Sequence, residues 1–388
     1  MSENSKKNSD ERLAFLLLMQ DYHGVYTAAI ESNPDLKLLP FGLCVKELFA
    51  EHFYYGDSYI YALSLRGFHA EQIVPMCLPL QHKWAAEEAV WAESPWVSAC
   101  MVPAYRIGRL NKSIKHWYCR RILDEQIKRL KPRFIWVFSG VRVSHENLLK
   151  WRSHSERIFL WWSSPLKPKF PYSYFDLILS GIPSLVQYFQ IQGLNAAYLP
   201  HAFDHRILQL VPDATKRISK AAFVGTLSHR HTGRIKFLDA LSRHIELDFY
   251  GYGLDLLPKD SPLRATYHGP VWGKDLYTVY GSYDVVIHKN INMAEKSASA
   301  KRLFEATGMG ACVVTESDET LEALFRPGHE IISYSSFEEC VDKIKYLLNN
   351  RHEAIQIGRN GQDRTLMDHT YERRTQQLIE HMKYCKRV

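Results

Sequence analysis

The chain has 388 residues, 46% of them hydrophobic and 23% charged, with a formal net charge of +7. That length exceeds what one core usually supports and predicts two domains, while the balance excludes a disordered chain. The longest apolar run, Leu13 to Met19, falls far short of the roughly 18–20 residues of a membrane span, and no secretion signal is expected in the polar start.

In chain order, Leu13 to Met19 reads as a strand, followed by a turn holding Asp21, His23 and Gly24. A helical region runs to about Arg66, and Gln72 to Leu78 reads as the next strand. Between Arg106 and Arg133 stand ten Lys or Arg against two acids. Part of this stretch predicts a helix with Cys119, Leu123, Ile127 and Leu130 on one face, and Arg120, Arg121, Lys128 and Arg129 elsewhere. Such a charge run is most simply a solvated face; the alternative is attraction to anionic lipid headgroups or a pyrophosphate group. No nucleic-acid motif accompanies it. Phe134 to Phe138, Arg157 to Trp162, Tyr174 to Ser180 and Ala196 to Leu199 complete a first set of strands.

A seam follows at Leu199 to Asp204, and the alternation then restarts. Ala221 to Val224, Leu247 to Tyr250, Asp284 to Ile287, Cys312 to Thr315 and Glu330 to Ser333 read as strands with helices between them. A last helix, Tyr371 to Lys386, serves no further strand. Alternating strands and helices predict parallel sheets covered on both faces. The expected architecture is α/β, two doubly wound Rossmann-like domains facing a central cleft. The boundaries fall at residues 1–203 and 204–370, with the helix 371–388 packing back on the first. Seven scattered cysteines, without metal-type spacing, suit a reducing cytosol.

The second half holds the stronger site candidates. Phe223 to Ser228 is a strand breaking into a turn at Gly225 and Thr226. His231 and Arg234 stand at the start of the next helix, where free N–H groups and a guanidinium suit a diphosphate. An ordinary strand-to-helix turn is the competing reading. Tyr252 lies in a glycine-rich turn after the next strand, and Trp272 in a further loop that suits a base pocket. Glu305, expected on the opening turn of its helix, is the kind of carboxylate that grips a ribose diol, with Arg302 beside it for phosphate. Its alternative role is to improve the helix start through the macrodipole. Loops ending successive strands of one sheet meet at one edge, so these residues are expected around one site. In the first half His23 and Asp21 are candidate bases. No D-x-D metal motif appears; Glu316-Ser317-Asp318 reads as the cap of the following helix.

The run Arg302-Leu303-Phe304-Glu305-Ala306-Thr307-Gly308-Met309-Gly310-Ala311 resembles the CgeB-like (spore-maturation type) glycosyltransferases, GT-B enzymes related to the family-4 retaining group. So do Phe325 to Glu330, His369 to Arg373, Phe223 to Gly225 with Ser228, His231 and Arg234, Tyr250 to Gly253, and Trp272-Gly273. Phe175 to Ser180 and Leu199-Pro200 extend the resemblance into the first half. It implies transfer of a sugar from a nucleotide-sugar donor, without a metal or other cofactor, to a glycan or lipid-linked acceptor. Glu305 would hold the ribose and Arg234 the diphosphate. A retaining course needs no protein base, whereas an inverting one would draw on Asp21 or His23. One departure stands out: where family-4 enzymes carry a glutamate eight positions before the helix carboxylate, this chain has Ser297. The implied location is cytoplasmic, with peripheral contact to anionic membrane. Two other activities stay open: a GT-B epimerase or hydrolase acting on sugar nucleotides, and a non-catalytic protein binding a sugar nucleotide or a membrane.

Overall fold

The computed structural model describes residues 13–21, 24–89, 111–211, 217–229, 232–289 and 300–385. The chain divides into two compact units, the first comprising Met1–Ser180, Ser184–Tyr198 and Gln377–Val388, the second Gly181–Pro183 and Leu199–Gln376.

The first unit is built on six parallel strands: β1 (Phe15–Leu18), β2 (Ala70–Ile73), β3 (Phe134–Phe138), β4 (Arg157–Trp161), β5 (Leu177–Ser180) and β6 (Ala196–Tyr198). Their order is β2-β1-β3-β4-β5-β6, so the sheet reverses direction between β1 and β3. Strands β1, β3 and β5 are buried along their whole length because helices cover both faces, which is why each reads as a continuous apolar run. On one face Leu16, Leu18, Ile135 and Val137 pack with Leu123 and Ile127 of the Asn111–Leu130 helix and Trp151 of the His145–Arg152 helix.

The second unit repeats the scheme with β7 (Ile218–Val224), β8 (Leu247–Tyr250), β9 (Tyr267–Gly269), β10 (Tyr283–Ile287), β11 (Cys312–Glu316) and β12 (Ile332–Tyr334). The order is β12-β11-β10-β7-β8-β9, all neighbours parallel, and the direction reverses between β7 and β10. Alternate residues serve opposite faces. Ala221, Phe223, Val285 and Ile287 meet Leu238, Leu241 and Ile344 on one side. Ala222, Val224 and Val286 meet Tyr277, Tyr280, Leu303 and Phe304 on the other.

Several expectations are corrected. The helical region ending near Arg66 is four helices, Val25–Ser32, Pro34–Leu38, Phe41–Ala50 and Ser58–Ser64. Between the last two, His52, Tyr54 and Gly56 take left-handed backbone angles that end one helix and redirect the chain. Strand β2 ends at Ile73, five residues before the expected limit, and Leu78 already opens the Leu78–Glu87 helix, with Pro79 at a position where proline is tolerated. Strand β9 was expected to be loop: it is three residues long, partly exposed and contains Gly269, so no apolar run marks it.

On the Asn111–Leu130 helix Tyr118, Cys119, Ile122, Leu123 and Ile127 are buried, while Arg120, Arg121, Lys128 and Arg129 are exposed. Lys128 lies 3.3 Å from Glu125, and Arg129 2.8 Å from Glu88. Among the described residues no helix is long and apolar enough to cross a membrane.

Candidate functional site

Open parallel sheets bind ligands beyond the carboxyl ends of their strands, where the strand order reverses. In the second unit that point is the pair β7 and β10. The loop after β7 is fixed by backbone pairing with the loop after β8. Gly225 N–H donates to Tyr250 O at 2.8 Å and Leu227 N–H to Tyr252 O at 2.8 Å, while Gly251 N–H reaches Gly269 O at 2.9 Å. A Cβ on Gly251 would lie 2.0 Å from Gly225 O, at a φ of +150°, so only glycine permits this stacking. The same turn carries Tyr252, whose hydroxyl accepts from Trp272 Nε1 at 3.3 Å. The loops after β7, β8 and β9 thus form one surface that includes Gly225, Thr226, Tyr252 and Trp272.

Arg234 rises from the Thr232–Ser242 helix and spans the reversal. Its Nη1 donates to Thr226 O at 3.3 Å, after β7, and its Nη2 to Lys289 O at 2.6 Å, after β10. The side chain is buried, with its guanidinium over the Phe223 ring at 5.7 Å. Arg302, in the first turn of the Lys301–Gly308 helix, brings Nη1 to 2.6 Å from where a Cβ on Gly225 would stand. Lys289 pairs with the Glu316 carboxylate and lies 4.4 Å from the Phe237 ring centroid. Buried among these groups is His288, its Nδ1 3.0 Å from Thr315 Oγ1. Its pKa falls to about 3, first because burial disfavours the imidazolium, then because Arg234, Arg302 and Lys289 repel it. This end of the sheet therefore keeps its histidine neutral and concentrates positive charge, which suits an anion.

Glu305 stands in the second turn of its helix, not the opening one, and is 3% exposed. The macrodipole falls off within the first turn, so the helix-start role does not account for it. One carboxylate oxygen, Oε1, accepts from Lys301 Nζ and from Tyr277 OH at 3.3 Å. Burial, followed by the charges of Glu305 and Asp204, holds the Tyr277 phenol well above its usual range and therefore protonated. On the far side of Lys301, His201 is pushed down to about 3 by burial, then by Lys301 and Arg374.

The first unit treats its candidates differently. Asp21 Oδ1 accepts from Tyr26 N at 3.0 Å, and Oδ2 from Thr27 N at 3.3 Å and Thr27 Oγ1 at 2.6 Å. The carboxylate satisfies the start of the Val25–Ser32 helix, a structural task that engages both oxygens. His23, His231 and Ser297 lie outside the described residues. Asp318 closes the turn before the Leu321–Leu324 helix, accepting from Thr320 N at 2.8 Å and Thr320 Oγ1 at 2.7 Å.

Three site residues escaped the sequence reading: His288, Lys289 and Lys301. The first two follow the buried run Tyr283–Ile287, and a polar pair at the carboxyl end of such a strand is a usable signal. Lys301 precedes Glu305 by four, the spacing of neighbours on a helix face.

Residues 230–380 match the model of a family described as glycosyl transferase-like. No curated protein matches the sequence. Among solved structures, a glycosyltransferase from Rickettsia africae is 10% identical, with 96% of this chain and 99% of that one covered at a TM-score of 0.57. Anabaena Alr3699/HepE, solved with UDP and glucose, is 12% identical over 96% of this chain and 100% of that one, at a TM-score of 0.54. Sucrose-phosphate synthase from Thermosynechococcus elongatus is 12% identical over 71% of this chain and 79% of that one, at a TM-score of 0.51. The chain thus has the two-sheet GT-B fold of these glycosyltransferase structures, and residues 230–380 match a glycosyl transferase-like domain.

Proposed function

We propose that the second unit binds a nucleotide-sugar donor and that the enzyme, of CgeB-like type, passes the sugar to a glycan or lipid-linked acceptor. The diphosphate lies against Arg302 and the Gly225–Thr226 turn that Arg234 braces, the ribose on Glu305, and the base beside Tyr252 and Trp272. The observation that carries this reading is the convergence of Arg234, Arg302 and Lys289 on a neutral, buried His288 where the strand order reverses. The full-length likeness to a structure that holds UDP and glucose supports it.

Catalysis rests on positioning the donor and on stabilising the leaving diphosphate with fixed cations. A divalent ion is then dispensable. A retaining course, which needs no protein base, fits the use of both Asp21 carboxylate oxygens at a helix start. The six described cysteines are free and buried, which suits a cytoplasmic enzyme. The test is the melting point of the protein in EDTA with UDP, GDP, ADP, CDP or dTDP. A ligand that binds only the folded state raises it, by about 2.7 kcal/mol of stability at a hundredfold excess over Kd. One of the five is expected to do so. No shift with any of them overturns the reading, and a shift that needs magnesium or manganese overturns its metal-free form.

A further inference from the structure

Lys301 and Glu305 form a buried ion pair one helical turn apart, with side chains 11% and 4% exposed. Burying two charges is costly, and such a pair is weak as a source of stability. Its geometry is nevertheless specific. Lys301 and the protonated Tyr277 converge on a single oxygen, Oε1, which fixes the plane of the carboxylate. The neighbouring Arg302 is directed elsewhere, to Gly225. Two successive cations of one helix turn thus serve different parts of the site.

We propose that Lys301 is a positioning residue for donor binding, acting through Glu305 by holding that carboxylate in one orientation. The proposal rests on the reading of Glu305 as the ribose contact. Among the described residues the charged and titratable groups around the pair are few. Tyr277 and Tyr280 face it from the Gly273–Ser282 helix. Asp204, which acts on Tyr277, is bound to Arg206 at 2.6 Å. Beyond Lys301 stand His201, neutral above pH 4, and Arg374. Arg302 shares the helix. Among the described residues Lys301 is the cation that touches the carboxylate, so its removal leaves Glu305 held by the Tyr277 phenol and free to turn.

The test measures binding of the nucleoside diphosphate selected by the melting panel, in the full chain. Four variants are compared with wild type: Glu305→Gln, Lys301→Met, Lys301→Arg and the double variant Lys301→Met/Glu305→Gln. Lys301→Met is expected to bind at least tenfold more weakly, and Lys301→Arg to restore most of the affinity. Glu305→Gln is expected to bind weakly. The double variant carries no orphaned charge, so it remains informative even if Lys301→Met fails to fold. It is expected to match Glu305→Gln within about threefold, since the proposed effect of Lys301 on binding runs through the Glu305 carboxylate. A double variant much weaker than Glu305→Gln, or a folded Lys301→Met with wild-type affinity, overturns the proposal. Wild-type affinity in Glu305→Gln instead overturns the ribose reading beneath it.

Discussion

The two units carry the same kind of sheet and fill its point of reversal in opposite ways. In the first, Gln20 occupies the approach between β1 and β3: a Cβ on Gly140 would lie 1.7 Å from its Oε1. Asp21 seals a helix start, and aromatic rings pack near the ends of β3 and β4, Tyr55 against Phe138 at 5.3 Å and Trp161 at 6.3 Å. In the second, the corresponding place holds two arginines and a lysine around a histidine that stays neutral. Topology supplies a crevice in both, and the charge lining it is the difference on which the proposed diphosphate site rests.

The largest expected difference between the units is in acid. His201 and His288 sit near 3 and His369 near 4, all in the second unit, and burial is the leading cause for each. An unfolded chain titrates histidine near 6.5, so below that pH the unfolded state binds protons that the fold refuses. The stabilisation from neutral burial is complete above about pH 6.5. It is lost as pH falls towards 3–4, at about 1.4 kcal/mol per pH unit for each histidine. Amide exchange at pH 7 and 4.5 should show β7 and β10 losing protection while β1 and β3 keep theirs. Equal losses in both sheets would break the comparison.

A steric pair comes next. Gly251→Ala drives a methyl into the backbone of Gly225, whereas Gly140→Ala meets the far end of a flexible glutamine. Both positions have positive φ, so both variants carry backbone strain. Gly251→Ala is expected to cost about 1–3 kcal/mol more, in the range of overpacking penalties, and to abolish nucleotide binding. Calorimetric melting of the two variants checks this, and a larger loss for Gly140→Ala would reverse the argument.

The smallest effect concerns the basic helix of the first unit. A cation near an anionic surface contributes about 1 kcal/mol, but Lys128 and Arg129 already have acidic partners. Anionic vesicles should therefore bind the protein weakly, lose it as salt rises, and fail to bind a variant with glutamine at Arg120, Arg121, Lys128 and Arg129. Absence of binding at low salt removes the membrane contact from the account.

Most strands were legible because a strand buried on both faces is largely apolar, as Phe15–Leu18 and Phe134–Phe138 show. Strand β9 was not, since an edge strand of three residues with a histidine and a glycine lacks that mark. The left-handed turn at His52 and Tyr54 was equally hidden, because positive φ is uncommon for any residue but glycine and Tyr54 gives no sign of it. At the site, Gly225, Tyr252, Trp272 and Arg302 could be grouped from loop positions alone. The tasks of Arg234 and Asp21 could not. Arg234 braces two loops through their carbonyls and Asp21 caps a helix, and sequence spacing does not distinguish such duties from ligand contact.

The central claim, that the crevice between β7 and β10 is a diphosphate site, is tested most directly by Arg302→Ala. Its affinity for the preferred nucleoside diphosphate and for the matching nucleoside is to be measured by calorimetry, beside wild type. A charge-assisted contact contributes about 1.5–3 kcal/mol, so the diphosphate should bind roughly 10–150-fold more weakly while the nucleoside is unchanged. Equal losses for both ligands, or no loss in a folded variant, would contradict the account.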